Sequence, residues 1–142
     1  MSPTHFGELI GLTHLSAPAD QSLLEIELLP QLCNRQGMVH GGVLLTLMDV
    51  AGLWAGVPAG TQPRAATVSL NGQFLNAARR EEGLRLQAHG QVVRRSRTLY
   101  FATVSVFASN GGPQIASGQG VYHILPASTA PASIGTADAP AQ

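Results

Sequence analysis

From Leu84 to Val92 apolar or small residues (Leu84, Leu86, Ala88, Gly90, Val92) alternate with polar ones (Arg85, Gln87, His89, Gln91). A period of two sets one face of a strand against a core and the other toward water. Segments at about Ala65 to Asn76, Thr98 to Ser109 and Gln114 to Leu125 also read as strands, and Asn110-Gly111-Gly112-Pro113 supplies hairpin-turn chemistry. Four successive strands with short links favour an antiparallel sheet. The run from Gly41 to about Ala55 is different: almost wholly apolar, without alternation and too long for an ordinary strand, it predicts a helix hydrophobic all round. Upstream, the pattern predicts a short helix over Pro3 to Ile10, a partly buried strand over Leu23 to Leu29 ended by Pro30, and a loop over Gln31 to Val39. One apolar helix and a long antiparallel sheet make an α+β fold in which the sheet curls around the helix.

Composition narrows the function. A chain of 142 residues fits one domain, taken as residues 1–126, followed by an Ala, Pro, Ser and Thr-rich tail at 127–142 with little to bury. Charged residues are only 11% of the chain, against roughly 25% in ordinary soluble domains, which predicts surface buried against another subunit. The formal charge of zero argues against a nucleic-acid partner. A single cysteine, Cys33, and an N-terminus without a basic then apolar leader pattern give a cytoplasmic expectation. The apolar stretch Gly41 to Ala59 contains Asp49 and Pro58, so it reads as a globular helix and no membrane association is expected. His5, His14, His40, His89 and His123 lack metal-ligand spacing, and Gly111-Gly112 lacks the helix and Lys of a phosphate loop, so no metal or cofactor is implied.

Between Glu27 and Glu81 the only acidic residue is Asp49, in the middle of the apolar helix. A carboxylate there needs a partner or a task. Capping a neighbouring segment or pairing with an Arg would satisfy it. A catalytic reading comes from His40-Gly41-Gly42 at the predicted helix start, where free backbone N–H groups and the positive end of the helix dipole face outward. Acyl transfer needs such a donor for the oxygen on which charge develops, which makes Gly41 N–H a candidate. Eight residues of helix rise about 12 Å, too far for Gly41 and Asp49 of one chain to serve one carbon. Asp49 must therefore work with the Gly41 of another subunit, and a two-fold axis would supply two such sites.

The run Asn34-Arg35-Gln36-Gly37-Met38-Val39-His40-Gly41-Gly42, followed by Leu47-Met48-Asp49, resembles the signature of the PaaI-like (phenylacetate-pathway) branch of the hotdog-fold thioesterases. The resemblance extends over about residues 5 to 125, including Gln73-Phe74-Leu75 and Ala116-Ser117-Gly118. It implies a curved antiparallel sheet around a long helix, homodimers or homotetramers, and hydrolysis of an acyl-CoA. Carried onto this chain, it makes Asp49 the base or nucleophile and Gly41 N–H the carbonyl-polarising donor, helped by Asn34. Thr67 is the first candidate for a hydroxyl that orients the carboxylate or the water, and Ser69 the second. His40 and Gly42 belong to the substrate-facing motif, with His40 holding the turn and taking no part in proton transfer.

Where many relatives have Gly-Arg between the two long strands, this chain has Ser96-Arg97. Arg94, Arg95 and Arg97 are candidates for coenzyme A phosphates, with a solvated strand end as the plainer alternative. Val43, Leu47, Trp54 and Phe74 are candidate acyl-pocket walls or simply core. Two other functions fit the same fold: a hotdog hydratase or dehydratase, and a non-catalytic acyl-CoA binding module. A thiol nucleophile built from Cys33 and His40 is the remaining enzymatic option, with no spacing that ensures contact.

Overall fold

The structure, a computed structural model, describes residues 2–126, so the tail expected at 127–142 lies outside the described residues. A short helix α1 (Phe6–Ile10) precedes strands β1 (Thr13–Leu15) and β2 (Gln21–Glu27), a 3-10 turn at Pro30–Leu32, and the long helix α2 (Gly41–Ala55). Strands β3 (Ala65–Phe74), β4 (Arg85–Arg95), β5 (Leu99–Ala108) and β6 (Ala116–Ile124) complete the described chain.

The predicted α2 agrees with the observed helix at both ends. Helix α1 begins later than predicted, because His5 is extended and its side chain caps the Glu8 N–H. Strand β2 starts at Gln21 and stops at Glu27, short of Leu29, and β1 went unpredicted because three exposed residues carry no periodic signal.

All six strands pair antiparallel in the order β1-β2-β4-β5-β6-β3. Neighbours in sequence are thus not always neighbours in space. Strand β3 crosses to the far edge to pair with β6, and β2 takes the place beside β4. The sheet curls around α2, which touches β2 through β6. Leu44, Leu47, Met48 and Ala51 of the helix pack with Leu24, Ile26, Leu86, Ala88, Val104 and Val106 to make the main core.

The helix is not covered all round, contrary to the reading of its sequence. Gly42 and Leu45 are exposed, and Thr46 and Asp49 are only half-buried. Their spacing of three and four residues makes one open stripe along the helix. A single sheet can wrap only part of a cylinder, and among the described residues nothing covers this stripe.

Two irregularities in the sheet decide which side chains face α2. In β3 the register shifts between Thr67 and Ser69, and in β4 between Val92 and Arg94. Each bulge inserts one residue and reverses the parity beyond it.

Candidate active site

At the N-terminus of α2, His40 is the cap residue in extended conformation, with φ −69° and ψ 138°. Its Nδ1 accepts the Gly42 N–H at 2.9 Å, and its carbonyl accepts the N–H groups of Val43 and Leu44. The Gly41 N–H, at the first helical position, has no acceptor among the described residues. It is an open donor at the positive end of a helix dipole. A Cβ at position 41 would come within 2.9 Å of the Phe74 ring, so only glycine leaves this backbone bare beside that ring.

The preceding loop is pinned from within. Asn34 Oδ1 accepts the N–H groups of Gln36 at 2.9 Å and Met38 at 3.1 Å, so its oxygen is committed to the turn and only its amide NH2 remains to donate elsewhere. The His40 N–H donates to the Leu32 carbonyl, and the Val39 N–H to that of Ala78.

Asp49 lies two turns further along α2 on the open stripe. Thr67 Oγ1 donates to its Oδ1 at 2.7 Å. Asp49 joins none of the ion pairs among the described residues, so no Arg neutralises it. The β3 bulge separates the two hydroxyl candidates. Thr67 pairs with Tyr122, whose side chain is buried toward the helix, whereas Ser69 pairs with Val121 on the outer face. Ser69 is exposed and turned away from Asp49.

Tyrosines 100 and 122 were not singled out in the sequence. The Tyr122 hydroxyl donates to the Asp49 carbonyl oxygen at 3.4 Å, and the Tyr100 hydroxyl to that of Leu53 at 2.6 Å. No sequence pattern distinguishes a strand tyrosine packed as core from one that spends its hydroxyl on a helix carbonyl.

The three arginines part company. The β4 bulge turns Arg95 to the inner face, over the Tyr100 ring at 5.2 Å, where it pairs with Asp20 at 2.9 Å and donates to the Gly56 carbonyl at 3.2 Å. That carbonyl lies at the negative end of α2, so Arg95 serves the helix end. Arg94 and Arg97 are exposed. Of the candidate walls, Leu47 is fully buried core, Val43 packs beside it, and Trp54 packs against His14 at 4.5 Å. Phe74 alone stands next to Gly41 and remains 53% exposed. Cys33 Sγ contacts the Leu29 carbonyl at 3.6 Å, and His40 Nδ1 is engaged with Gly42, so the two do not form a thiol–imidazole pair.

One chain therefore carries an open donor at Gly41 and an oriented carboxylate at Asp49 that do not meet, about 12 Å apart along the helix. No described helix is long and apolar enough to cross a membrane.

The thioesterase superfamily model matches residues 36–114, a stretch that includes Gly41, Asp49 and Thr67. Mouse acyl-coenzyme A thioesterase 13 is 26% identical over 113 residues, covering 80% of this chain and 79% of the relative. The crystal structure of zebrafish thioesterase superfamily member 2 shares 31% identity over 80% of each chain, with a TM-score of 0.67. The PaaI protein of the Escherichia coli phenylacetic acid degradation operon is alike in fold, with a TM-score of 0.73 at 19% identity, covering 84% of this chain and 83% of its own.

Proposed function

Because the chain belongs to the thioesterase superfamily and has its hotdog fold, we propose that it hydrolyses an acyl-CoA thioester to the free acid and CoA at sites shared between two subunits. The acyl-CoA substrate is supported by the named activity of the mouse relative. The observation that carries the site is Asp49, a carboxylate without an ionic partner among the described residues, held by Thr67 on the stripe of the central helix that those residues leave open.

In this reading the thioester carbonyl oxygen accepts the Gly41 N–H of one subunit. As water attacks, the charge that develops on that oxygen is stabilised by the donor and by the helix dipole. Asp49 of the partner takes the proton from the water. Thr67 occupies one carboxylate oxygen and fixes the direction of the other. Collapse of the tetrahedral intermediate releases the CoA thiolate. Phe74 lines the acyl side beside Gly41, Asn34 adds an amide donor, and Arg94 and Arg97 are available for the CoA phosphates while Arg95 is committed elsewhere.

A second subunit is supported from two directions. The open stripe of Gly42, Leu45, Thr46 and Asp49 needs a cover, since Leu45 is 40% exposed. Strand β3 is an edge of ten residues with no charged side chain and no proline, and Val68 on it is 60% exposed. Proteins usually guard such an edge with charge or proline, and an unguarded one pairs. A two-fold related copy against this edge would run the two central helices past each other and bring Gly41 of each toward Asp49 of the other.

The test is thiol release from aromatic and short to long aliphatic acyl-CoAs by wild type, Asp49→Ala and Asp49→Asn. Turnover should fall about 100-fold or more in both variants while the circular dichroism spectrum is unchanged. Near-wild-type turnover in either variant overturns the role of Asp49. Absence of release by the wild type overturns hydrolysis and favours the binding-module or hydratase alternatives.

A further inference from the structure

Helix α2 is held by hydroxyls from four different strands, all within one turn of Asp49. Ser22 of β2 donates to the Ala51 carbonyl, Tyr100 of β5 to that of Leu53, and Tyr122 of β6 to that of Asp49, while Thr67 of β3 reaches the Asp49 carboxylate. Helix carbonyls have a second lone pair free after their helical hydrogen bond. Donors arriving from the sheet fix both the height and the rotation of the helix.

Among these, Tyr122 and Thr67 are direct partners in the β3–β6 register. One cross-strand pair thus grips Asp49 twice, at its backbone carbonyl and at its carboxylate. Tyr122 is wholly buried and stacks on Tyr100 with ring centroids 5.1 Å apart. Its hydroxyl lies in a slot between helix and sheet, where a Cβ at Gly52 or at Gly120 would collide with it. Side chains at those two positions would drive the tyrosine out, so the two glycines belong to the same device. Burial also pushes the Tyr122 hydroxyl well above its ordinary pKa, with the nearby Asp49 charge adding to the shift, so it keeps its proton to donate.

We propose that Tyr122, seated between Gly52 and Gly120, is a positioning residue for Asp49: it sets the helix so that the carboxylate meets Thr67 and points at the attacking water. The proposal rests on the catalytic reading of Asp49. Catalytic groups lose much of their effect when displaced by a fraction of an ångström, so a contact that touches no substrate can control turnover.

The experiment compares Tyr122→Phe, which keeps the ring and removes only the hydroxyl, with Tyr100→Phe, which removes the shorter bond to the same helix one turn away. Tyr122→Phe should lower kcat about tenfold with KM within about twofold. Tyr100→Phe, losing the shorter bond, should cost more in thermal midpoint and less in kcat. Placed in the Asp49→Ala background, Tyr122→Phe should leave the residual rate unchanged, because its target is already gone. Wild-type kcat in Tyr122→Phe, an effect no different from that of Tyr100→Phe, or an equal further loss in the Asp49→Ala background would each overturn the proposal. If Asp49→Ala alone keeps wild-type turnover, the reading of Asp49 fails and takes the proposal with it, and that result is visible without any tyrosine variant.

Discussion

Asp49 presents two carboxylate oxygens, and Thr67 holds one of them at 2.7 Å. Replacing Thr67 with Val removes that donor while keeping the branched shape that fits the strand. We expect kcat to fall about tenfold with little change in KM, and Thr67→Ser to recover most of it. Ser69→Ala should be neutral, because Ser69 faces the other side of the sheet. Steady-state kinetics of the three variants checks this, and a loss in Ser69→Ala equal to that in Thr67→Val would contradict it. Asp49 stood out in the sequence as a candidate because an unaccompanied acid in an apolar helix is conspicuous. Gly41 stood out as a candidate because its neighbours His40 and Gly42 mark a helix start. The choice between Thr67 and Ser69 was less accessible, since alternation alone puts both on one face and only the bulge at Val68 separates them. Arg95 is the same case in β4: its parity, and so its role at the end of α2, depends on an inserted residue.

At the scale of elements, β2 and β4 are tied by Glu25, which accepts Arg85 Nε at 2.7 Å and Gln87 Nε2 at 2.8 Å. The hydrogen bond from Gln87, then that from Arg85, holds the Glu25 carboxyl below its ordinary value. As pH falls, the unfolded chain therefore binds this proton first. The stabilisation is complete above the unfolded value, about pH 4.5, and is lost as pH drops through the lower folded value. Thermal midpoints taken from about pH 6 down to about pH 3 should fall more steeply for wild type than for Glu25→Gln, and parallel curves would contradict the assignment. Five of the six strands were readable, β4 most plainly from its period of two, and α2 from its length, whereas the three exposed residues of β1 were not. The order of the sheet was not, because the pattern along β3 is the same whether it pairs with β4 or crosses to β6. The partial exposure of α2 also escaped the sequence: an apolar stripe reads alike whether its own sheet or another subunit covers it.

For the whole molecule, the uncharged β3 edge strand lies beside the open stripe on α2, with Thr67 reaching Asp49 and Phe74 standing next to Gly41. The sparse charge of the chain fits a protein that buries this side against a copy of itself. The proposal of a site shared between subunits makes a strict demand on mixed oligomers. Gly41→Pro deletes the backbone donor at a helical position that favours proline, and the extended His40 before it is compatible with one. The exposed Phe74 ring has only to swing aside. Gly41→Pro and Asp49→Ala should each be nearly inactive alone. In a mixed dimer, Gly41 of the Asp49→Ala subunit faces the intact Asp49 of the Gly41→Pro subunit, which rebuilds one site and leaves the other doubly defective. The most direct measurement is thiol release by the two variants co-expressed with different tags and mixed at random in equal amounts. Recovery of about a quarter of wild-type activity is predicted, since half the dimers are mixed and each has one working site of two. Mixed dimers that form and remain as inactive as their parents would contradict a site shared between subunits.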